Sequence, residues 1–253
     1  MTATYTWTME MQLSGVWTDV TADVRSSAPV SVSRGIDGSG VTDRVAKVGT
    51  MSFALDNSTA NSGGLLGYYS PDNTNVRAGY GIGTYTRLII ETSMTITDET
   101  GDDILDEDGV ALLVDGGYCK FYGKISDVTP IAGAYKERYV SVMCVDYMNE
   151  LLVHNMNKLA VQAAKRGDQL VGAVVGNLPT APLSTSYATG PDTFAYALND
   201  VQDERTSGMN AVQRVDQSGL SYTFVRGDVV PGTLGEALVW HSRNTRFGST
   251  SGA

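Results

Sequence analysis

Period-two alternation of apolar and polar residues runs through the first 150 positions or so, and helical spacing appears only afterwards. Residues 4–13 (Thr-Tyr-Thr-Trp-Thr-Met-Glu-Met-Gln-Leu) predict a strand broken at Ser14-Gly15, and Trp17–Val24 a second extended segment. Val30–Gly35 alternates again, and Gly49–Asp56 places Met51, Phe53 and Leu55 on one face. Four short strands this close together point to a barrel or sandwich. Strand pattern resumes at Tyr85–Glu91, and Tyr118–Val128 with Arg138–Asp146 completes the leading domain. Between these lies a stretch, Asn57–Gly83, rich in Asn, Ser, Gly and Tyr and containing Tyr69-Ser-Pro-Asp-Asn73, which predicts a long loop with its own turns. A loop of that length is a contact surface or a mobile element, and Tyr68, Tyr69, Pro71 and Tyr80 are its candidate assembly contacts.

Helical spacing begins beyond Asp146, which caps a short segment through Val153. Leu170, Val171, Val174, Val175 and Leu178 form a one-sided stripe after Asp168, ended by Gly176 and Pro179. Residues 179–193 read as loop by composition. Ser207 caps a third helix through Val215 to Gly219, followed by strands at Leu220–Val225 and Leu234–His241. The fold class is therefore β-rich α+β, with a barrel-like domain at 1–153 and a smaller α+β domain at 154–253.

Charge sharpens this picture at one place. The formal net charge is -10, and removing the acidic residues Asp98, Glu99, Asp102, Asp103, Asp106, Glu107, Asp108 and Asp115, among which no Lys or Arg falls, leaves only -2. A concentrated insertion implies a field that is aimed somewhere. Ile104-Leu-Asp-Glu-Asp-Gly109 is echoed by Leu112-Leu-Val-Asp-Gly-Gly117, and Asp-Gly supplies hairpin turns, so 93–117 reads as a β-ribbon standing off the barrel.

Candidate chemistry is sparse. The 18 Lys and Arg are scattered, which argues against sequence-specific nucleic-acid binding. No stretch approaches the length needed to cross a bilayer, and the N-terminus lacks a secretory pattern, so the chain reads as soluble. Cys119 and Cys144 sit on strands that could face each other, but without a secretory signal the reduced form is expected. His154 and His241 have no metal-ligand spacing, and no nucleophile elbow is present. Gly79-Tyr-Gly-Ile-Gly83 precedes a strand, so it is no dinucleotide fingerprint. Asp106, Asp108 and Gly109 imitate part of a calcium loop, yet Ile104 occupies the place of the first carboxylate. Two Arg-Gly-Asp tripeptides, at 166–168 and 226–228, have local explanations as a helix start and a hairpin turn. The Asn57-Ser-Thr59 sequon is idle without secretion. No catalytic, metal or cofactor site is expected.

The order and spacing of Trp17–Val24, Val32–Gly35, Val48–Asn57, Tyr69–Asn73, Phe121–Val128 and Val140–Asp146 resembles the first domain of bacteriophage tail-tip and baseplate hub proteins, over residues 15–153. Phe194–Asp200, Arg205–Arg214 and Trp240–Arg246 are similar, more weakly, to the next part of those hubs. The resemblance implies a structural virion protein built on tube-forming barrels, a homo-oligomer with a trimer favoured over a hexamer, placed between tail tube and tip. Its implied partners are tube and distal tail proteins, with transient non-specific DNA passage, and its implied location is the virion tail, assembled in the bacterial host cytoplasm. Acidic walls would keep DNA from sticking, so the ribbon would line that lumen or decorate the exterior. The alternative is a distal tail or carbohydrate-binding β-domain for host-surface recognition, in which Tyr68, Tyr69, Tyr80 and Tyr85 supply stacking faces.

Overall fold

Alternation in the leading strands turns one set of side chains inward: Met9, Met11 and Leu13 of β1 (Ala3–Leu13) and Phe53 and Leu55 of β4 (Lys47–Asp56) are all buried. The computed structural model describes residues 3–36, 43–95, 113–133, 138–156, 159–198, 206–227 and 235–246. By contacts the chain divides into two units, one comprising Met1–Val30, Ser52–Met143 and Gly232–Gly235, the other Ser31–Met51, Cys144–Pro231 and Glu236–Ala253. The second unit thus draws on Ser31–Met51 as well as on the trailing half. No shift in composition marks that exchange.

A seven-stranded sheet carries most of the strands, in the order β2-β1-β5-β6-β7-β4-β3, with β2 at Val16–Asp19, β3 at Ser31–Gly35, β5 at Tyr85–Thr95, β6 at Leu113–Ile131 and β7 at Tyr139–Val145. Within the first unit, a 3-10 turn at Thr21–Asp23 leads the chain back to β4, where Val24 bridges Leu55 and the Arg25 N–H donates to the Ala54 carbonyl at 2.9 Å. The sheet curls onto itself there. On its other face, the opposed pair Glu10 and Arg87 forms an ion pair of 2.5 Å, with the Arg87 guanidinium 4.3 Å above the Trp17 ring. A bulge between Leu88 and Ile89 interrupts the β5–β6 register, which continues to Thr95 opposite Leu113. The segment expected as an acidic ribbon, from 96 to 112, lies outside the described residues.

In the second unit, α2 (Gly167–Gly176) and α3 (Gly208–Gly219) pack Leu170, Val171, Val174, Ala211, Val212 and Val215 against Leu238 and Trp240 of β12 (Glu236–His241). Their starts obey local signals in the sequence: Ser207 caps α3, its Oγ accepting the Asn210 N–H at 3.3 Å, and α2 begins inside the first Arg-Gly-Asp. The glycine of that tripeptide has a second reason. A Cβ at Gly167 would stand 2.6 Å from the Trp240 ring. Short α1 (Met148–Val153) and α4 (Arg243–Arg246) complete the helices, and β11 (Tyr222–Gly227) pairs antiparallel with β12. Part of the 179–193 stretch is not loop: Ser184–Tyr187 forms β9, parallel to β12, while Thr193–Ala197 forms β10, antiparallel to β8 at Gln162–Arg166. These strands are four or five residues long and lack a buried face, so their partners rather than their pattern define them.

Candidate assembly site

The long loop of the first unit folds around one buried carboxylate. Asp23, at the end of the 3-10 turn, accepts the Ser62 N–H at 2.6 Å, the Ser62 hydroxyl at 2.5 Å and the Tyr69 hydroxyl, and Arg77 Nη1 stands 3.6 Å away. Arg77 also donates to the Tyr69 oxygen at 2.6 Å. Three remote parts of the sequence are tied to one point. Burial first, and then the hydrogen bond to Asp23, holds the Tyr69 phenol far above the usual tyrosine range, with Arg77 pulling weakly the other way. Asn57 adds a second clamp, accepting the Tyr69 N–H at 2.8 Å and donating to Ser70 Oγ at 2.7 Å. Asn61 bonds the carbonyls of Ser58 and Leu65 and accepts the Gly63 N–H at 3.0 Å. The Asn and Ser content that marked this stretch as loop therefore works as an internal scaffold. Gly79, at φ +79°, lies where a Cβ would collide with the Ser14 backbone nitrogen, so only glycine lets the loop close against the β1–β2 turn.

The expected contact residues are distributed accordingly. Tyr69 is fully buried and Tyr80 nearly so, with the two rings edge to face at 5.1 Å. Tyr68 meets Tyr69 at 5.2 Å and has Arg77 above its ring, and Pro71 is exposed. Tyr85 carries Lys124 over its face at 5.3 Å. Tyr69 and Tyr80 thus shape the loop from within. What the loop turns outward instead is Leu65, Leu66 and Ile82, 44%, 41% and 73% exposed, a set that aromatic content alone did not single out. Of the acidic residues, Asp98, Glu99, Asp102, Asp103, Asp106, Glu107 and Asp108 lie outside the described residues, and the backbone at Asp115 pairs with Ser93.

Of the buried acids in the second unit, only Asp146 had a signal in the sequence, as the cap of the segment through Val153. Asp216, wholly buried on α3, accepts the Ser221 hydroxyl at 2.7 Å and the Trp240 indole N–H at 2.9 Å, and burial pushes its carboxyl up to about 6. Asp146 accepts the Met148 N–H at 3.0 Å and fills the space a Gly49 side chain would need; burial raises it to about 6 as well. Glu236 accepts the Tyr147 N–H at 3.2 Å through Oε1, while its buried Oε2 has no hydrogen-bond partner among the described residues. Desolvation and then the nearby Asp146 charge push Glu236 well above the ordinary carboxylate range. Arg34 offsets part of both shifts. Among the described residues no group of three or more His, Cys, Asp or Glu is placed to hold a metal, and no helix is long and apolar enough to cross a membrane. His154 pairs with Glu150 at 2.9 Å, His241 meets Phe224 edge to face at 5.1 Å, and Cys119 and Cys144 are both buried, Cys119 Sγ donating to the Phe121 carbonyl at 3.1 Å.

This β-rich α+β architecture is one seen in phage tail proteins. The 43 kDa tail protein of prophage MuSo2 from Shewanella oneidensis matches 93% of this chain and 54% of its own, with a TM-score of 0.50 at 12% identity. A tail protein from Neisseria meningitidis MC58 matches 92% of this chain and 50% of its own at a TM-score of 0.48 and 10% identity. The E. coli c3393 protein, described as a type VI secretion component structurally similar to the T4 tail proteins gp27 and gp5, matches 87% and 48% at 0.37 and 10%. The chain spans about half the length of these structures. What the MuSo2 tail protein shares with this chain is the fold. No family model matches the sequence, and no curated protein matches it.

Proposed function

We propose that the chain is a structural component of a phage tail, a tip or baseplate hub that forms a ring between tail tube and tip and lets DNA pass during ejection. The observation that carries this reading is the likeness of fold to the MuSo2 tail protein over 93% of the chain. Its role is architectural rather than catalytic, and its partners are copies of itself, in a trimer rather than a hexamer, together with tube and distal tail proteins. It acts in the virion tail, after assembly in the host cytoplasm. The exposed Leu65, Leu66 and Ile82 suit burial against a neighbour, because an ordered loop displays them at little cost in entropy. Electron microscopy of the purified full chain is expected to show closed rings of three-fold symmetry; particles that stay single at every concentration would refute the reading.

The acidic stretch 98–115 is assigned to the channel wall, where negative charge repels passing phosphates. Neutralising Asp106, Glu107 and Asp108 to Asn, Gln and Asn in the assembled virion is expected to slow DNA ejection while particle yield holds. Unchanged ejection kinetics would place these residues on the outside.

A further inference from the structure

Beyond the loop, the first unit leaves part of one edge of β1 uncovered among the described residues. Met9 turns its backbone groups to the outer side of β1, where its N–H donates to Thr21 Oγ1 and its carbonyl accepts the Val20 N–H, both at 2.8 Å. Trp7, two residues earlier on the same strand, directs its N–H and carbonyl to that side by the same alternation. Among the described residues no strand pairs with them there: β2 covers only Glu10 to Leu13, and no other strand runs beside β1 along that edge. The chain beyond Val24 instead runs away to β4, leaving a groove of about 500 Å³. Leu88 and Ile90 are its floor, Trp7 one rim, and Val24, Arg25 and Pro29 part of the opposite wall.

We propose that this groove receives an extended segment from a second copy of this chain, which adds to β1 as a strand. The proposal rests on the ring reading and names where one copy grips the next. Three features select this occupant. First, the Trp7 N–H and carbonyl are turned to the uncovered side of β1 beside an apolar floor, which suits a strand bonded along that edge over apolar subsites. Second, the floor and rim are apolar and partly open: Trp7 is 43% exposed, and Tyr118, opposite Ile90 on β6, is 40% exposed and continues the same face. An uncovered apolar edge of this kind is an aggregation hazard unless a partner covers it. Third, copies of a chain with net charge -10 repel one another, and the one charged residue lining this groove is the cation Arg25. A neighbour's acidic surface meets no like charge in this lining. A segment other than β1 entering the groove joins two different surfaces, the contact type that closes into a ring.

The test compares the wild-type full chain with Trp7→Thr and Arg25→Glu by sedimentation velocity over a concentration series, with circular dichroism to confirm folding. Wild type is expected to associate, with Trp7 emission moving to shorter wavelength as it does, and each variant to need at least about tenfold more protein to reach the same oligomer, the scale of a central interface residue. Should both folded variants assemble like wild type, the groove is not the contact and the proposal falls while the ring reading stands. Should wild type itself remain a monomer throughout, the ring reading fails and takes the proposal with it. If Trp7→Thr does not fold, Arg25→Glu decides the outcome alone.

Discussion

Asp23→Ala is expected to cost the first unit about 3–5 kcal/mol, the range for removing one partner of a buried charge network. The loss is large because the carboxylate satisfies several groups at once. Without it the Ser62 N–H, the Ser62 hydroxyl and the Tyr69 hydroxyl lose their acceptor inside the protein, and Arg77, only 15% exposed, is left as a cation without its counterion. The damage should spread along Asn57–Gly83 rather than stay local, since Tyr69 is the post on which Tyr68 and Tyr80 lean. Hydrogen exchange at the β1 amides and at those of β4 from Ser52 onward across a urea series reads the midpoint of this unit, and limited proteolysis should cut the variant within the loop. Tyr69→Phe keeps the ring packing and removes only one hydroxyl, so it should cost less, about 1–3 kcal/mol. If Asp23→Ala stays within about 0.5 kcal/mol of wild type, as an ordinary surface change would, the carboxylate does not organise the loop. The same variant bears on assembly, because Leu65 and Leu66 are presented by the backbone that this network holds.

Strands were legible where one face is buried. Met9, Met11 and Leu13, or Met51, Phe53 and Leu55, announce themselves by alternation, and the stripes of α2 and α3 by helical spacing and their flanking caps or breakers. Strands β8, β9 and β10 were not legible, because short segments with exposed faces acquire their state from a partner distant in sequence. The capture of Ser31–Met51 by the second unit is likewise a long-range fact; it shows in contacts such as the Ala46 N–H on the Thr223 carbonyl at 2.8 Å. At the candidate site, composition identified the loop but not that Tyr69 and Tyr80 turn inward. An aromatic in an Asn- and Ser-rich stretch can stack outward or fill a small core, and that choice depended on Asp23, some 46 residues before Tyr69. The apolar groove was hidden for a similar reason. Trp7 shares the alternation of Met9 and Met11, and nothing in the pattern says that the wall covering those two stops short of it.

Stability of the second unit is expected to fall as pH rises, a consequence of acids whose carboxyls are pushed up by burial. For such a group the folded state holds a proton that the unfolded chain releases, so its stabilising contribution is complete below the unfolded pKa near 4 and is lost as pH climbs through the folded value. Asp146 and Asp216, raised from 3.8 to about 6, each withdraw about 3 kcal/mol across that window at 1.4 kcal/mol per unit. Glu236, pushed up by burial and then by the Asp146 charge, adds to the decline. Asp168 works in the opposite sense on the acid side: burial pushes it up, but the Arg166 hydrogen bonds and the Gly190 N–H outweigh this and hold it below its usual range. Its contribution is therefore present above the unfolded pKa and lost as pH falls. Glu236→Gln isolates the first effect, since the amide oxygen still accepts the Tyr147 N–H while no charge forms beside Asp146 at any pH. Thermal unfolding followed by hydrogen exchange at the α2 and α3 amides between pH 5 and 8 should show a wild-type midpoint that declines steadily and a variant midpoint that declines less, so that the variant is the more stable protein at pH 8. Curves that run parallel across the range would mean Glu236 carries no proton into the folded state, and the repulsion inferred from its burial next to Asp146 would be absent.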